Sequence, residues 1–304
     1  MKNPKIGFIG GGNMGGAMIE ALWRAQSGEA DAGRSFAEDE RKFDGGSEAH
    51  GAENLAQTGK NASQREYEKE AKFEIIACAR SKNESLRQRF GIKIAASETD
   101  LAREADAVVL ATKPASYEAI LRLIAPELAG KILLLLAPSF DIKRARQIVG
   151  EGVCIARTMP NIAACIGASA TALCFDAGFS EPKKETVREI IAKIGKIYEI
   201  DEAGFAAFTG IAGSLPAYAC AFIEAAADAG VRGGLPRQLC YDAVCAAIEG
   251  TARLIQSGKH PAALKDEVCS PAGATIEGLA ALEKGGFRGA LMDAVAACIA
   301  KVRG

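Results

Sequence analysis

Five residues, Lys5-Ile-Gly-Phe-Ile9, run directly into Gly10-Gly-Gly-Asn-Met-Gly15 and then into the helix-forming stretch 17–25. A short apolar strand, a Gly-x-Gly-x-x-Gly turn and a helix, in that order, leave few folds open. The turn belongs at the first crossover of a βαβ unit, where it binds a dinucleotide. Gly10 allows the tight turn, Gly12 lets a pyrophosphate approach the backbone, and Gly15 lets the helix pack on the strand. Asn13 and Met14 complete this cofactor-binding turn. Glycine is common in this chain, 33 of 304 residues, so the spacing alone carries little weight. The strand before it and the helix after it favour the dinucleotide reading over a glycine-rich turn in some other α/β protein.

The same alternation continues for two hundred residues. Strands are expected at 73–79, 92–95, 107–111, 132–136, 153–157, 169–174 and 196–200, the last at an edge. Helices fit 84–90, 99–104, 117–128, 142–149 and 181–194 between them. That rhythm predicts an α/β fold with a mostly parallel, doubly wound sheet, a Rossmann domain over residues 1–200. From Phe205 the chain becomes alanine-rich and helical, broken at Ser214-Leu-Pro216, Gly233-Gly-Leu-Pro236, His260-Pro261 and Gly285-Gly286. Proline suits helix starts, so residues 201–304 read as an all-α domain.

One segment breaks the rhythm. Residues 26–71 are rich in charge and poor in large apolar side chains, so they cannot build a core and read as an exposed insertion. Its removal brings Arg80 to about 20 residues beyond Gly15, the place from which a dinucleotide fold recognises the ribose. An NAD site carries Asp or Glu there; this chain has Arg80-Ser81-Lys82. A guanidinium with a hydroxyl beside it suits a 2′-phosphate, which favours NADPH, with NADH as the other possibility.

Composition closes several doors. The formal net charge is −1 with no basic tract, which argues against nucleic acid as a partner. No uninterrupted apolar run approaches the ~18 residues of a membrane span. With only His50 and His260, a histidine triad and a zinc site of the usual ligands are nearly excluded. His260, just before Pro261, reads as a helix-boundary residue. Nine scattered cysteines without a Cys-x-x-Cys pair suit a reducing compartment, with the cytoplasm as the default and an organelle matrix as the alternative.

Residues 268–283 point to the substrate. Ser270 can cap a helix with Pro271 at its first position, and the small residues Ala272, Gly273 and Ala274 leave the first-turn N–H groups uncovered. Such a helix start suits a small carboxylate, and Thr275 adds a hydroxyl.

Taken together the chain resembles the pyrroline-5-carboxylate reductases. The resemblance is most specific over 261–283, in Pro261, Leu264, Val268, Ser270, Gly273, Thr275, Gly278, Leu279 and Glu283. Ala111-Thr-Lys-Pro114, Arg157-Thr-Met-Pro-Asn161, Pro216-Ala-Tyr218, Phe222-Ile-Glu-Ala225 and Asp228-Ala-Gly230 support it. It implies an enzyme that reduces the C=N bond of 1-pyrroline-5-carboxylate to give L-proline, with a C-terminal helical domain that forms a homodimer; the family also forms decameric rings of dimers. It implies that Ala111, Lys113, Pro114, Ala137 and Asn161 line the cofactor. The substrate carboxylate would meet the amides of Gly273, Ala274 and Thr275, with Ser270 assisting and the Thr275 hydroxyl at the ring nitrogen. The chain departs from the family pattern at Pro138-Ser139, Ile162-Ala163, Ala212, Glu267 and Ala272, where Gly is usual. A related imine or hydroxy-acid reductase of the same build, or a catalytically impaired scaffold paralogue, are the other readings of these residues.

Overall fold

A computed structural model of the chain describes residues 3–27 and 72–303. Of the expected insertion 26–71, all but residues 26 and 27 lies outside the described residues, as does His50. Its two ends are tied together. The Gln26 side chain accepts a hydrogen bond from the Phe73 N–H at 3.0 Å, so the chain leaves and re-enters the fold at one place.

Eight strands form one sheet: β1 (Lys5–Ile9), β2 (Glu74–Cys78), β3 (Lys93–Ile94), β4 (Ala107–Leu110), β5 (Ile132–Leu135), β6 (Cys154–Met159), β7 (Ser169–Phe175) and β8 (Gly195–Glu199). Their order is β3-β2-β1-β4-β5-β6-β7-β8, with β8 at an edge as expected. All pairs are parallel except β6 with β7. Only residues 160–168 join the two strands, and a parallel crossover needs a dozen or more.

The helices are α1 (Asn13–Ser27), α2 (Asn83–Phe90), α3 (Glu98–Glu104), α4 (Tyr117–Ile124), α5 (Ile142–Val149) and α6 (Glu181–Ala192). The central strands β1, β4, β5 and β6 are buried on both faces, as parallel strands between helices must be. Alternate residues therefore feed two cores. Val109 and Leu134 join Met18, Ile19 and Leu22 of α1, Phe90 of α2 and Ile190 of α6. Val108, Leu110 and Leu133 join Leu101, Tyr117, Leu121 and Val149 on the opposite face. The helix expected over 117–128 stops at Ile124 and continues as a 3₁₀ turn over Ala125–Glu127. Pro126 has no N–H to give and its ring crowds the preceding turn.

Tyr117 ties two strand ends together. Its hydroxyl donates to the Leu110 carbonyl at the end of β4 and accepts from the Leu136 N–H just past β5, at 3.1 Å. The ring is fully buried, and that burial holds the phenol well above the usual tyrosine range, so it stays a donor.

After β8 come α7 (Phe205–Phe208), a π-helical turn (Thr209–Gly213), α8 (Leu215–Arg232), α9 (Arg237–Gln256), α10 (Pro261–Val268), α11 (Ala274–Lys284) and α12 (Phe287–Arg303). The four expected breaks are present, with Pro216 and Pro261 in helix first turns and His260 capping α10 through Nδ1. The described residues form two compact units, one of 3–27, 72–213 and 299–303, the other of 214–298. The expected domain change lay at 200/201; residues 201–213 belong to the first unit.

Within 214–298 only Ala227 and Cys240 are buried hydrophobics. Phe222, Leu235, Leu239, Leu254 and Leu282 are exposed. A helical unit without its own core must cover such faces with another surface. The stretch Glu202–Arg232 is also long and apolar enough, by length and composition, to cross a membrane, although its sequence contains no uninterrupted run of that kind.

Replacing Tyr117 by Phe strips the Leu136 N–H of its buried acceptor, which costs about 1–3 kcal/mol. Urea denaturation should show that loss; an unchanged midpoint would mean that the hydroxyl is not the tie between β4 and β5.

Candidate active site

The sheet's carboxyl edge brings together four loops, after β1, β2, β4 and β5. In open α/β sheets ligands bind at this edge, where strand order reverses, here between β1 and β4. Gly10 adopts φ +103°. A Cβ on it would lie 2.7 Å from the Ala111 carbonyl oxygen. A Cβ on Gly15 would lie 2.3 Å from the Gly10 oxygen and 2.9 Å from the Ala111 Cβ, so α1 can start here only without that side chain. Gly12 differs. A Cβ there would meet nothing within 4 Å, so its backbone faces open space at the start of α1. Open backbone at a helix N-terminus fits a pyrophosphate. Asn13 beside it is exposed, whereas Met14 packs its side chain partly against the core.

Next to this turn a cleft of about 290 Å³ runs between α1 and α2, from Gly12, Asn13 and Lys82 to Glu20, Arg89 and Cys165. Arg80, Ser81 and Lys82 form an exposed turn after β2. Asn83 fixes that turn: its Oδ1 accepts from the Ala79 N–H at 2.7 Å. No sequence motif singles out Asn83, because its part is visible only once Ala79 is placed. Of this turn, Lys82 lines the cleft.

After β4, Ala111 touches the core while Lys113 and Pro114 are exposed where a 3₁₀ turn begins. Thr112 between them carries a buried hydroxyl with no partner among the described residues. Ala137 turns its methyl inward, 4% exposed, so only its main chain is available to a ligand. Asn161 is also directed inward. Its amide donates to the Ala212 carbonyl at 3.1 Å and accepts from the Ala163 N–H, while its own N–H bonds Ser169 Oγ. Those bonds account for the amide without a ligand.

The second cluster lies in residues 270–275, and here the structure corrects two expectations. Ser270 does not cap the helix, and Pro271 is not its first residue. Residues 270–273 form a turn closed by Gly273 N–H donating to the Ser270 carbonyl at 3.0 Å; α11 then starts at Ala274 with Gly273 as its N-cap and no side-chain cap. The Gly273 N–H is thus already used. The free donors are those of Ala274, Thr275 and Ile276, as a helix start requires. Gly273 contributes its missing side chain instead, since a Cβ there would lie 2.3 Å from Ser270 Oγ. Ser270, Ala274 and Thr275 are all exposed. Glu267, another departure from the family pattern, is held in an ion pair with Lys259 at 2.9 Å.

Ala272, where the resembled family usually has Gly, sits at φ +57°. A side chain in the left-handed region costs roughly 1–2 kcal/mol, part of which glycine's extra chain entropy would offset.

Comparison with known proteins adds the following. Residues 202–304 match the family model described as pyrroline-5-carboxylate reductase dimerisation. Residues 45–137 match one described as NADP oxidoreductase, coenzyme F420-dependent. The chain is 38% identical over 218 residues to a pyrroline-5-carboxylate reductase of Glycine max, covering 71% of this chain and 79% of that protein. It is 31% identical over 299 residues to the Escherichia coli enzyme of that name, covering 98% and 96%. Its fold is similar to a Plasmodium falciparum pyrroline carboxylate reductase crystallised with NADP bound, at TM-score 0.79 and 28% identity, covering 100% of this chain and 98% of that one.

Ala272→Gly should raise stability by roughly 0.5–1 kcal/mol, the strain relieved less the entropy lost. Thermal denaturation checks this; a destabilised variant would show that the left-handed geometry at 272 is not a strained one.

Proposed function

The chain belongs to the pyrroline-5-carboxylate reductase family, and from that premise we propose that it makes L-proline from 1-pyrroline-5-carboxylate, with NADPH as the preferred reductant. The observation that carries the substrate assignment is the bare start of α11. Three main-chain N–H groups, flanked by Ser270 and Thr275 and covered by no side chain larger than a methyl at 273–274, suit a carboxylate on a small ring.

Bound NADPH supplies the hydride that the imine carbon receives. The remaining tasks fall to the chain. The Ala274 and Thr275 N–H groups hold the carboxylate, with the Ser270 hydroxyl as a further donor. The Thr275 hydroxyl has no hydrogen bond among the described residues and is free to meet the ring nitrogen and orient its proton. A protonated imine is already a strong electrophile, so no strong base is needed. Holding the reacting carbons together is worth up to ~7–11 kcal/mol of barrier. Neither histidine nor metal ligation enters this scheme; among the described residues no group of three or more His, Cys, Asp or Glu is placed to hold a metal.

The NADPH preference is supported by Arg80, Ser81 and Lys82, exposed after β2 where an NAD site would have a carboxylate. The dimerisation-domain match supports a homodimer, which would cover the apolar faces of 214–298. A ring of such dimers is the larger assembly we propose. Nine free cysteines suit a reducing compartment, and we place the protein in the cytoplasm.

Purified protein given 1-pyrroline-5-carboxylate should consume NADPH with a lower KM than NADH. Arg80→Ala should raise the KM for NADPH about tenfold and leave that for NADH within about twofold. No nucleotide oxidation with either coenzyme would defeat the assignment and favour the scaffold reading. Thr275→Val keeps the side-chain shape and should lower kcat at least about tenfold with little change in substrate KM. Full turnover in that variant would remove the hydroxyl from the chemistry.

A further inference from the structure

We propose that Arg157 and Glu202 are positioning residues that shape the loop 137–141 toward the nicotinamide half of the coenzyme. The inference rests on the coenzyme reading above.

Arg157 projects from β6 and is 6% exposed. Its Nη2 donates to the Pro138 carbonyl, its Nη1 donates to Glu202 Oε1 at 3.0 Å, and its guanidinium lies over the Phe205 ring at 4.6 Å. The same Glu202 oxygen accepts from the Ile142 N–H at 2.9 Å. One ion pair, buried at Arg157 and 31% exposed at Glu202, thus grips both ends of the loop, at Pro138 near its start and at Ile142, the first residue of α5. Between them Phe140 is buried against Tyr117, ring centroids 5.2 Å apart. Ser139 is left as the exposed tip.

Fold stability is a weak reason for such a network. Removing two charges from water offsets most of their attraction, and an apolar side chain would fill the same volume at similar stability. What an apolar side chain cannot do is hold the Pro138 carbonyl inward and Ile142 in register at once. The chain differs from its family here, with Pro138-Ser139 in the loop, and the network dictates how that Pro-Ser pair is presented.

The direction of the effect follows from strand order. On the coenzyme reading, the pyrophosphate meets Gly12 and the adenosine half belongs to the turn after β2, at Arg80–Lys82. Loops after β4 and β5 lie across the switch point, on the nicotinamide side. Loosening loop 137–141 should therefore weaken binding of the whole coenzyme and spare its adenosine fragment.

The test compares two ligands, NADPH followed by its nicotinamide fluorescence and adenosine 2′,5′-bisphosphate followed by calorimetry. Arg157→Lys and Glu202→Gln should each raise the Kd for NADPH about tenfold and leave the bisphosphate within about twofold. Glu202→Gln retains an acceptor for Ile142, so it reads the same loop if Arg157→Lys does not fold. A parallel loss of both ligands, or no loss of either, would overturn the proposal. If the unaltered protein binds neither ligand, the coenzyme reading and this inference fall together. If it binds both but reduces no pyrroline-5-carboxylate, the substrate assignment fails and the loop comparison still stands.

Discussion

The approach of α1 to β1 and β4 governs the carboxyl edge of the sheet. With Gly10 at φ +103° against the Ala111 carbonyl and no room for a side chain on Gly15, the first turn of α1 sits directly against the Gly10 carbonyl and the Ala111 methyl. That contact points the open backbone of Gly12 outward and sets the adjoining cleft between α1 and α2. The ties made by Tyr117 and by Arg157 with Glu202 then fix the neighbouring strand ends against that edge. A coenzyme site built from main chain depends on such ties, because its donors can move only with the backbone.

The second unit follows a different logic. With two buried hydrophobic residues in 214–298, it has too little core to account for its order. Its apolar faces imply a partner surface, and its match to a dimerisation family supplies the kind of partner. The uncapped start of α11 arises in this unit from a local conflict. Residues 270–273 close on themselves, Ala272 takes a left-handed conformation, and the helix is left uncapped. An uncapped start is costly to a helix and useful to a ligand that supplies the missing acceptor.

Much of this was legible in the residues. Apolar runs such as 132–136, between helical stretches, give a parallel sheet because strands buried on both faces need no alternation. The count from Gly15 to Arg80 located the insertion, and the Gln26–Phe73 hydrogen bond accounts for why the fold tolerates it. The reversal at β7 follows from the short connector between the strands expected at 153–157 and 169–174, below the dozen or more residues a parallel crossover needs. The start of α11 was misjudged by three residues: Ser270-Pro271 has the local chemistry of a cap, but the Gly273 N–H closes the turn first. Asn83, Tyr117 and Glu202 escaped notice because each acts through a backbone group distant from any motif. Asn161 and Ala137 were assigned to the coenzyme by resemblance, and the structure directs both side chains inward.

The account stands on the idea that a small ring acid is held by exposed main-chain donors while a dinucleotide lies along the glycine turn. A crystal structure of the protein with NADP⁺ and proline tests it most directly. The account predicts the proline carboxylate within hydrogen-bond distance of the Ala274 and Thr275 nitrogens and the pyrophosphate against Gly12. A carboxylate seated elsewhere, with those amides bound only to water, would contradict it.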